Sequence, residues 1–148
     1  MSRPDIHIRL MVPADADAAA GLSAELGYPA DPGAMRARIV QLAAAPDHAV
    51  FVADSGGDVI GWIHVSAVLH LQADPRAEIG GLVVAARVRG QRIGAALVAR
   101  AEQWAREQGF TSLVVRSQIM REDAHRFYLR EGYARTKTSA VFTKVLTA

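Results

Sequence analysis

The sequence predicts a single α/β domain over residues 1–148, with a mixed, mostly antiparallel sheet of about seven strands flanked by about four helices. Three observations carry this. Short apolar or alternating segments separated by turn signals run through both halves of the chain. A long amphipathic segment, residues 91–108, stands between two strand-like segments and makes one crossover. No apolar run reaches the roughly 18 residues of a membrane span. The chain has 148 residues, 51% hydrophobic and 22% charged, which suits one globular domain with a sizeable core.

The elements follow in order. Residues 6–10, Ile-His-Ile-Arg-Leu, alternate as a half-buried strand does. Pro13 opens a helix over 14–26, where proline is tolerated in the first turn, and Gly27-Tyr28-Pro29 closes it. A second helix follows Asp31-Pro32, with Met35, Ile39 and Leu42 on its apolar face, and ends at Pro46. Residues 49–53 and 59–70 are strands joined by the hairpin turn Asp54-Ser55-Gly56-Gly57-Asp58. Residues 72–75 are the next turn. Residues 77–84 form a central strand containing Gly80-Gly81, a pair that marks a bulge or a close approach of other atoms. In the 91–108 helix Ile93, Leu97, Ala101 and Trp104 share a face, and Gly109 stops it. Residues 112–115 are a strand, 122–131 a short helix ended by Gly132, and 133–137 with 140–146 a last pair of strands.

The most informative stretch is Arg87-Val88-Arg89-Gly90-Gln91-Arg92-Ile93-Gly94-Ala95, between the central strand and the long helix. The first N–H groups of a helix lack helical partners and lie at the positive end of its dipole. A phosphate is stabilised there. Glycine permits close backbone approach, and Arg87, Arg89 and Arg92 add charge and donors. A phosphorylated ligand is therefore expected. The Gly-x-x-x-x-Gly-Lys-Ser/Thr and Gly-x-Gly-x-x-Gly nucleotide loops are both absent.

Arg89-Gly90-Gln91-Arg92-Ile93-Gly94 resembles the acetyl-CoA loop of the GNAT N-acetyltransferases, Gln/Arg-x-x-Gly-x-Gly/Ala, with Arg92 where the family usually has glycine. A second stretch, Arg121 to Tyr133, resembles the family's Asn-x-x-Ala-x-x-Phe-Tyr-x-x-x-Gly-Phe/Tyr. Ala124, Phe127, Tyr128, Gly132 and Tyr133 match, and Arg121 stands where asparagine is usual, with Ser117 or Gln118 as substitutes for its contact. The element order fits the family along essentially the whole chain. The resemblance implies acetyl-CoA as co-substrate and a splayed pair of central strands. It places Leu82, Val83 and Val84 on the pantetheine arm and Arg89, Gly90, Gln91, Arg92, Ile93, Gly94 and Ala95 around the pyrophosphate. Ala124, Phe127 and Tyr128 lie by the thioester.

The implied reaction is transfer of acetyl to a primary amine within a ternary complex. Tyr128 serves the departing thiolate, because a nearby hydroxyl can donate to the charge that develops on sulfur. Glu78, on the strand leading into the loop, is the first candidate for assisting deprotonation of the amine; His64, His70 and His125 are further candidates. No metal is expected. With no cysteine, disulfides, thiolate metal sites and an acetyl-cysteine intermediate are excluded, and a cytoplasmic location is expected. The start, Met-Ser-Arg-Pro-Asp, shows no signal-peptide core. A net charge of +2 argues against nucleic acid as partner and against a transferase toxin acting on aminoacyl-tRNA, which needs a broad basic face. The competing class is an acyl-CoA sensor or structural domain without transfer; Tyr128 and Glu78 favour transfer. The acceptor is a small-molecule or peptide amine, and an exposed last hairpin offers an edge for a homodimer.

Overall fold

The computed structural model describes residues 5–116 and 122–147. They fall into two compact units, Met1–Arg116 and Ser117–Ala148. The first unit holds one open five-stranded sheet in sequence order: β1 (His7–Leu10), β2 (His48–Ser55), β3 (Asp58–His70), β4 (Ala73–Val84) and β5 (Leu113–Val115). The first four pair antiparallel, and β5 returns parallel to β4. That parallel return requires the crossover, α3 (Ile93–Glu107). The helices α1 (Ala16–Glu25) and α2 (Pro32–Ala43) connect β1 to β2.

Each sheet face has its own cover. Phe51 on β2 and Gly61 and Ile63 on β3 point toward α3, where Ile93, Leu97, Ala101 and Trp104 are all buried. The expected apolar face of that helix is therefore the face it buries. Gly61 is glycine because a Cβ there would stand 3.0 Å from the Val83 carbonyl and 3.1 Å from Leu97 Cδ1. Val50, Val52, Trp62 and His64 share the opposite face, where α1 and α2 pack. The α2 N-terminus is capped by Asp31, whose Oδ2 accepts from Ala34 N–H at 2.9 Å. The β2–β3 turn takes positive φ at both Gly56 and Gly57 (60° and 94°), as a two-residue hairpin of this kind requires.

Two expectations are corrected. The β3–β4 turn is Leu71-Gln72, and β4 begins at Ala73 rather than Ala77. Pro75 enters the strand because the register shifts between Val68 and His70, and a bulge is where a strand tolerates a residue with no N–H. The last strand pair does not form. Residues 133–147 carry no helix or strand, so the sheet has five strands, not seven. Val141, Phe142, Val145 and Leu146 are each more than four-fifths exposed. A hairpin that buries no face is marginal by itself. The second unit's regular element is α4 (Glu122–Arg130), followed by Gly132 at φ 94°.

Arg9 ties β1 to the start of α1. Its Nη1 and Nη2 donate to the two oxygens of Asp15 at 2.9 Å each, and its Nε donates to Asp54 on β2 at 3.0 Å. Asp15 also accepts from Val12 N–H at 2.8 Å. The Arg9 hydrogen bonds hold the nearly buried Asp15 carboxyl below the usual range, against the opposing effect of burial. A depressed folded-state pKa stabilises the fold above the unfolded value of about 3.9, and that stability is lost as pH falls through the folded value. Asp15→Asn is expected to cost about 1–3 kcal/mol at pH 7. Urea unfolding at descending pH should show parent and variant converging as the pH falls through the lowered Asp15 value.

Candidate active site

The loop after β4 follows the strand–turn–helix course its sequence suggests, with one rearrangement. β4 ends at Val84, and Ala85 N–H donates to the Ile60 carbonyl at 2.9 Å. A 3-10 turn, Ala86–Val88, follows. Gly90 then takes φ 85° and Arg92 φ 64°, which turns the chain into α3. Ala96 N–H is the donor to the Arg92 carbonyl, so the N–H groups of Ile93, Gly94 and Ala95 precede the helical ladder. The side chain of the N-cap residue, Arg92, does not cap them. Arg89, Gly90, Gln91 and Arg92 are exposed. Arg87 is not available to a ligand, because its guanidinium pairs with Asp58. The cations left at the loop are Arg89 and Arg92.

Arg92 occupies a left-handed conformation, which explains why the related pattern prefers glycine here. A residue with a Cβ pays roughly 1–2 kcal/mol in this region. The departure at Arg92 carries a backbone cost, and its side chain is exposed.

The register shows how far β4 and β5 pair among the described residues. β5 meets β4 only at Ala77, Glu78 and Ile79. From Gly80 to Val84, β4 pairs with β3 alone among the described residues, with Leu82, Val83 and Val84 opposite Ile63, Trp62 and Gly61. At this break β4 bulges: Ile79 faces Val65 and Gly81 faces His64, leaving Gly80 as the extra residue. A Cβ on Gly81 would stand 2.9 Å from the Trp62 ring, and one on Gly80 3.3 Å from His64 Nδ1. Both glycines are needed by close approach of side chains from β3.

Glu78 lies just before the bulge, opposite Ser66. Its Oε1 accepts from Arg116 Nε at 2.8 Å. Arg116 has no motif signal and is brought to Glu78 only by the β4–β5 pairing. Behind the same sheet face a cavity of about 290 Å³ opens, lined by Tyr28, Met35, Ile39 and Leu42 from the helical side and by Trp62 and His64 from β3. The apolar face expected for α2 thus forms a cavity wall. His70 is exposed at the far end of β3, away from this arrangement.

In the second unit, Ala124, His125, Phe127 and Tyr128 are the half-buried residues of α4. Ala124 and Tyr128 stand one turn apart on one side. Tyr128 packs edge-on against Phe127 and Tyr133, with ring centroids 5.1 and 5.8 Å apart. The Tyr128 carbonyl accepts from Tyr133 N–H at 2.9 Å. The matched motif residues therefore pack against one another. Arg121, Ser117 and Gln118 lie outside the described residues.

Comparison with known proteins agrees with this construction. The pattern of the Acetyltransferase (GNAT) family matches residues 18–133. The chain belongs to this family. It is 45% identical over 91 residues to the aminoalkylphosphonate N-acetyltransferase of Salmonella typhimurium, a match covering 61% of this chain and 58% of that protein. It is 28% identical over 116 residues to the aminoglycoside N(6')-acetyltransferase type 1 of Serratia marcescens, covering 75% and 80% respectively. Its fold is similar to that of the aminoglycoside N-acetyltransferase AAC(6')-Iy in complex with CoA, with a TM-score of 0.85 at 19% identity over 95% of both chains. Among the described residues no helix is long and apolar enough to cross a membrane, and no group of three or more His, Asp and Glu side chains is placed to hold a metal ion.

Arg92→Gly tests the account of the GNAT loop. Relief of the left-handed strain, offset by the extra unfolded-state freedom of glycine, should leave stability unchanged or raise it by up to about 1 kcal/mol. CoA affinity by calorimetry should stay equal or fall a few-fold with loss of the cation. A large gain in affinity would show that the Arg92 side chain obstructs the site.

Proposed function

We propose that this GNAT chain moves an acetyl group from acetyl-CoA to a small primary amine by direct transfer in a ternary complex. The observation that carries the proposal is the conjunction at the end of β4. A strand edge that, among the described residues, has no β5 partner beyond Ile79 leads within a few residues to a helix N-terminus not capped by its own N-cap side chain and flanked by Arg89 and Arg92. An amide-bearing arm that ends in a pyrophosphate has that shape and charge. The edge at Leu82, Val83 and Val84 bonds the arm's amides as a neighbouring strand would. Arg89, Gly90, Gln91, Arg92, Ile93, Gly94 and Ala95 take the phosphates. Ala124, Phe127 and Tyr128 contact the thioester end.

Chemistry then follows from two groups. The amine lone pair attacks the thioester carbonyl carbon, and the C–S bond breaks. Tyr128 gives its proton to the leaving sulfur. Glu78 assists deprotonation of the amine: Arg116 holds one carboxylate oxygen, and the other accepts an N–H of the nucleophile. The names of the two relatives, one for aminoalkylphosphonates and one for aminoglycosides, support a small-molecule amine as acceptor over a peptide.

Incubation with acetyl-CoA and a panel of aminoalkylphosphonates, aminoglycosides and simple alkylamines, with CoA thiol release as readout, tests the assignment. Binding of acetyl-CoA without release for any amine would leave a sensor instead. With an active amine, Tyr128→Phe should slow single-turnover transfer by roughly 10²-fold or more and leave acetyl-CoA binding nearly unchanged. Glu78→Gln should lower turnover mainly below the amine's own pKa; a pH–rate profile identical to the parent would remove Glu78 from the mechanism.

A further inference from the structure

The cavity wall carries His64, whose ring meets a second histidine, His48, and the reaction as described leaves both unused. His48 is opposite Ser66 and Val50 opposite His64, so His48 and His64 are diagonal neighbours on the face that looks toward α1 and α2. Their rings meet: His48 Nδ1 is 2.9 Å from His64 Nε2. His48 Nε2 lies 3.9 Å from Asp47 Oδ1, and that carboxylate is 61% exposed. At the other end, His64 lines the cavity and turns its Nδ1 edge toward the bulge residue Gly80. The line of contacts thus runs from a ring that borders the cavity, through the second ring, to an exposed carboxylate.

The line has a direction. A bond between two imidazole nitrogens needs one N–H and one lone pair. If His48 donates, its Nε2 presents a lone pair to the Asp47 carboxylate. If His64 donates from Nε2, His48 carries its N–H on Nε2, facing that carboxylate, and His64 keeps a bare lone pair on Nδ1. The Asp47 carboxylate selects the second arrangement, because it attracts an N–H on His48 Nε2 and repels a lone pair there. Burial, and then the neighbouring His48, push the His64 pKa below the ordinary histidine value, which keeps the ring neutral. The other charged or titratable groups around it are Glu78 of β4 with its partner Arg116, and Arg38 and Tyr28 across the cavity.

We propose that His64 and His48 form a proton relay that takes the proton the acceptor ammonium must lose and delivers it to solvent at Asp47. The proposal rests on the N-acetyltransfer reading. Transfer from acetyl-CoA to an ammonium gives the amide, CoA thiol and one proton. The nitrogen therefore loses two protons: one replaces the proton Tyr128 gives to sulfur, and the other leaves. For the leaving proton, the N–H bond breaks with its electron pair kept on nitrogen, and His64 Nδ1 gains the proton while Glu78 assists by accepting a hydrogen bond from another N–H of the same nitrogen without taking its proton. His64 Nε2 passes its own proton to His48 Nδ1, and the His48 Nε2 proton departs to water beside Asp47. Both rings stay neutral overall, and water entering the emptied cavity restores the resting tautomers. His64 is the catalytic residue, and His48 is a positioning and relay residue.

Nitrogen-15 NMR of the imidazoles in the parent protein at pH 7 tests the resting state without any activity. The expected result is a protonated Nε2 and a bare Nδ1 on His64; the opposite tautomer would overturn the relay. With an amine that the parent acetylates, His64→Gln should lower kcat/KM for the amine at least tenfold at and below pH 7, with the deficit shrinking toward the amine's own pKa. His48→Ala should show a similar deficit, with added imidazole restoring part of the rate. Circular dichroism and acetyl-CoA binding should match the parent for both. An active parent whose two variants keep its pH profile, or a His48→Ala deficit that imidazole does not relieve, would overturn the relay and leave acetyl transfer standing. A parent that binds acetyl-CoA and acetylates no amine would overturn the transfer reading and the relay with it.

Discussion

The end of β4–β5 pairing at Ile79 is the constraint on which the candidate site depends. A parallel strand that stayed in register to Val84 would consume the backbone groups of Leu82, Val83 and Val84. Among the described residues β5 pairs with β4 no further than Val115 opposite Ile79, and the proposed acetyl-CoA contacts use the backbone groups beyond that point. The bulge at Gly80 falls at the same place, and it re-aims β4 just before the loop that opens α3. One irregularity thus sets the free edge, the direction of the anion loop and the position of Glu78 relative to the cavity.

Charge around the site is sorted by tertiary pairing. Three arginines crowd the loop in sequence, but Asp58 of the β2–β3 hairpin claims Arg87. Arg116 is likewise claimed by Glu78, and Arg9 by Asp15 and Asp54. The exposed pairs contribute little to stability on their own. Their effect is to decide which guanidinium groups are committed, which leaves Arg89 and Arg92 facing solvent at an uncapped helix end. The same logic governs the histidines: two rings distant in sequence become one hydrogen-bonded pair because β2 and β3 meet in this register and no other.

Legibility in the sequence varied with the range of the interaction. The α3 face was readable from Ile93, Leu97, Ala101 and Trp104, since a period of 3.6 survives any tertiary context. The turn at Gly56-Gly57 and the helix stops at Gly109 and Gly132 were readable because positive φ is a local demand. Pro75 misled, because a local rule against proline in strands yields to a bulge formed with β3. The segment after Gly132 has alternating apolar residues, yet pattern alone makes no strand. A strand needs a partner and a buried face, and Val141, Phe142, Val145 and Leu146 have no buried face.

The sequence by itself determined the order of elements through α4, the loop that joins β4 to α3, and the family motifs around Gly94 and Tyr128, all of which rest on contacts within a few residues. Only the tertiary structure decided that Arg92 sits in a left-handed turn, that Gly80 is the bulged residue, that Arg116 holds Glu78, and that His48 meets His64. Each of these depends on strand register or chain reversal, and a one-residue slip would turn the side chains to the other face. Register is set by burial on both sides of the sheet at once, and no local stretch of residues carries that information.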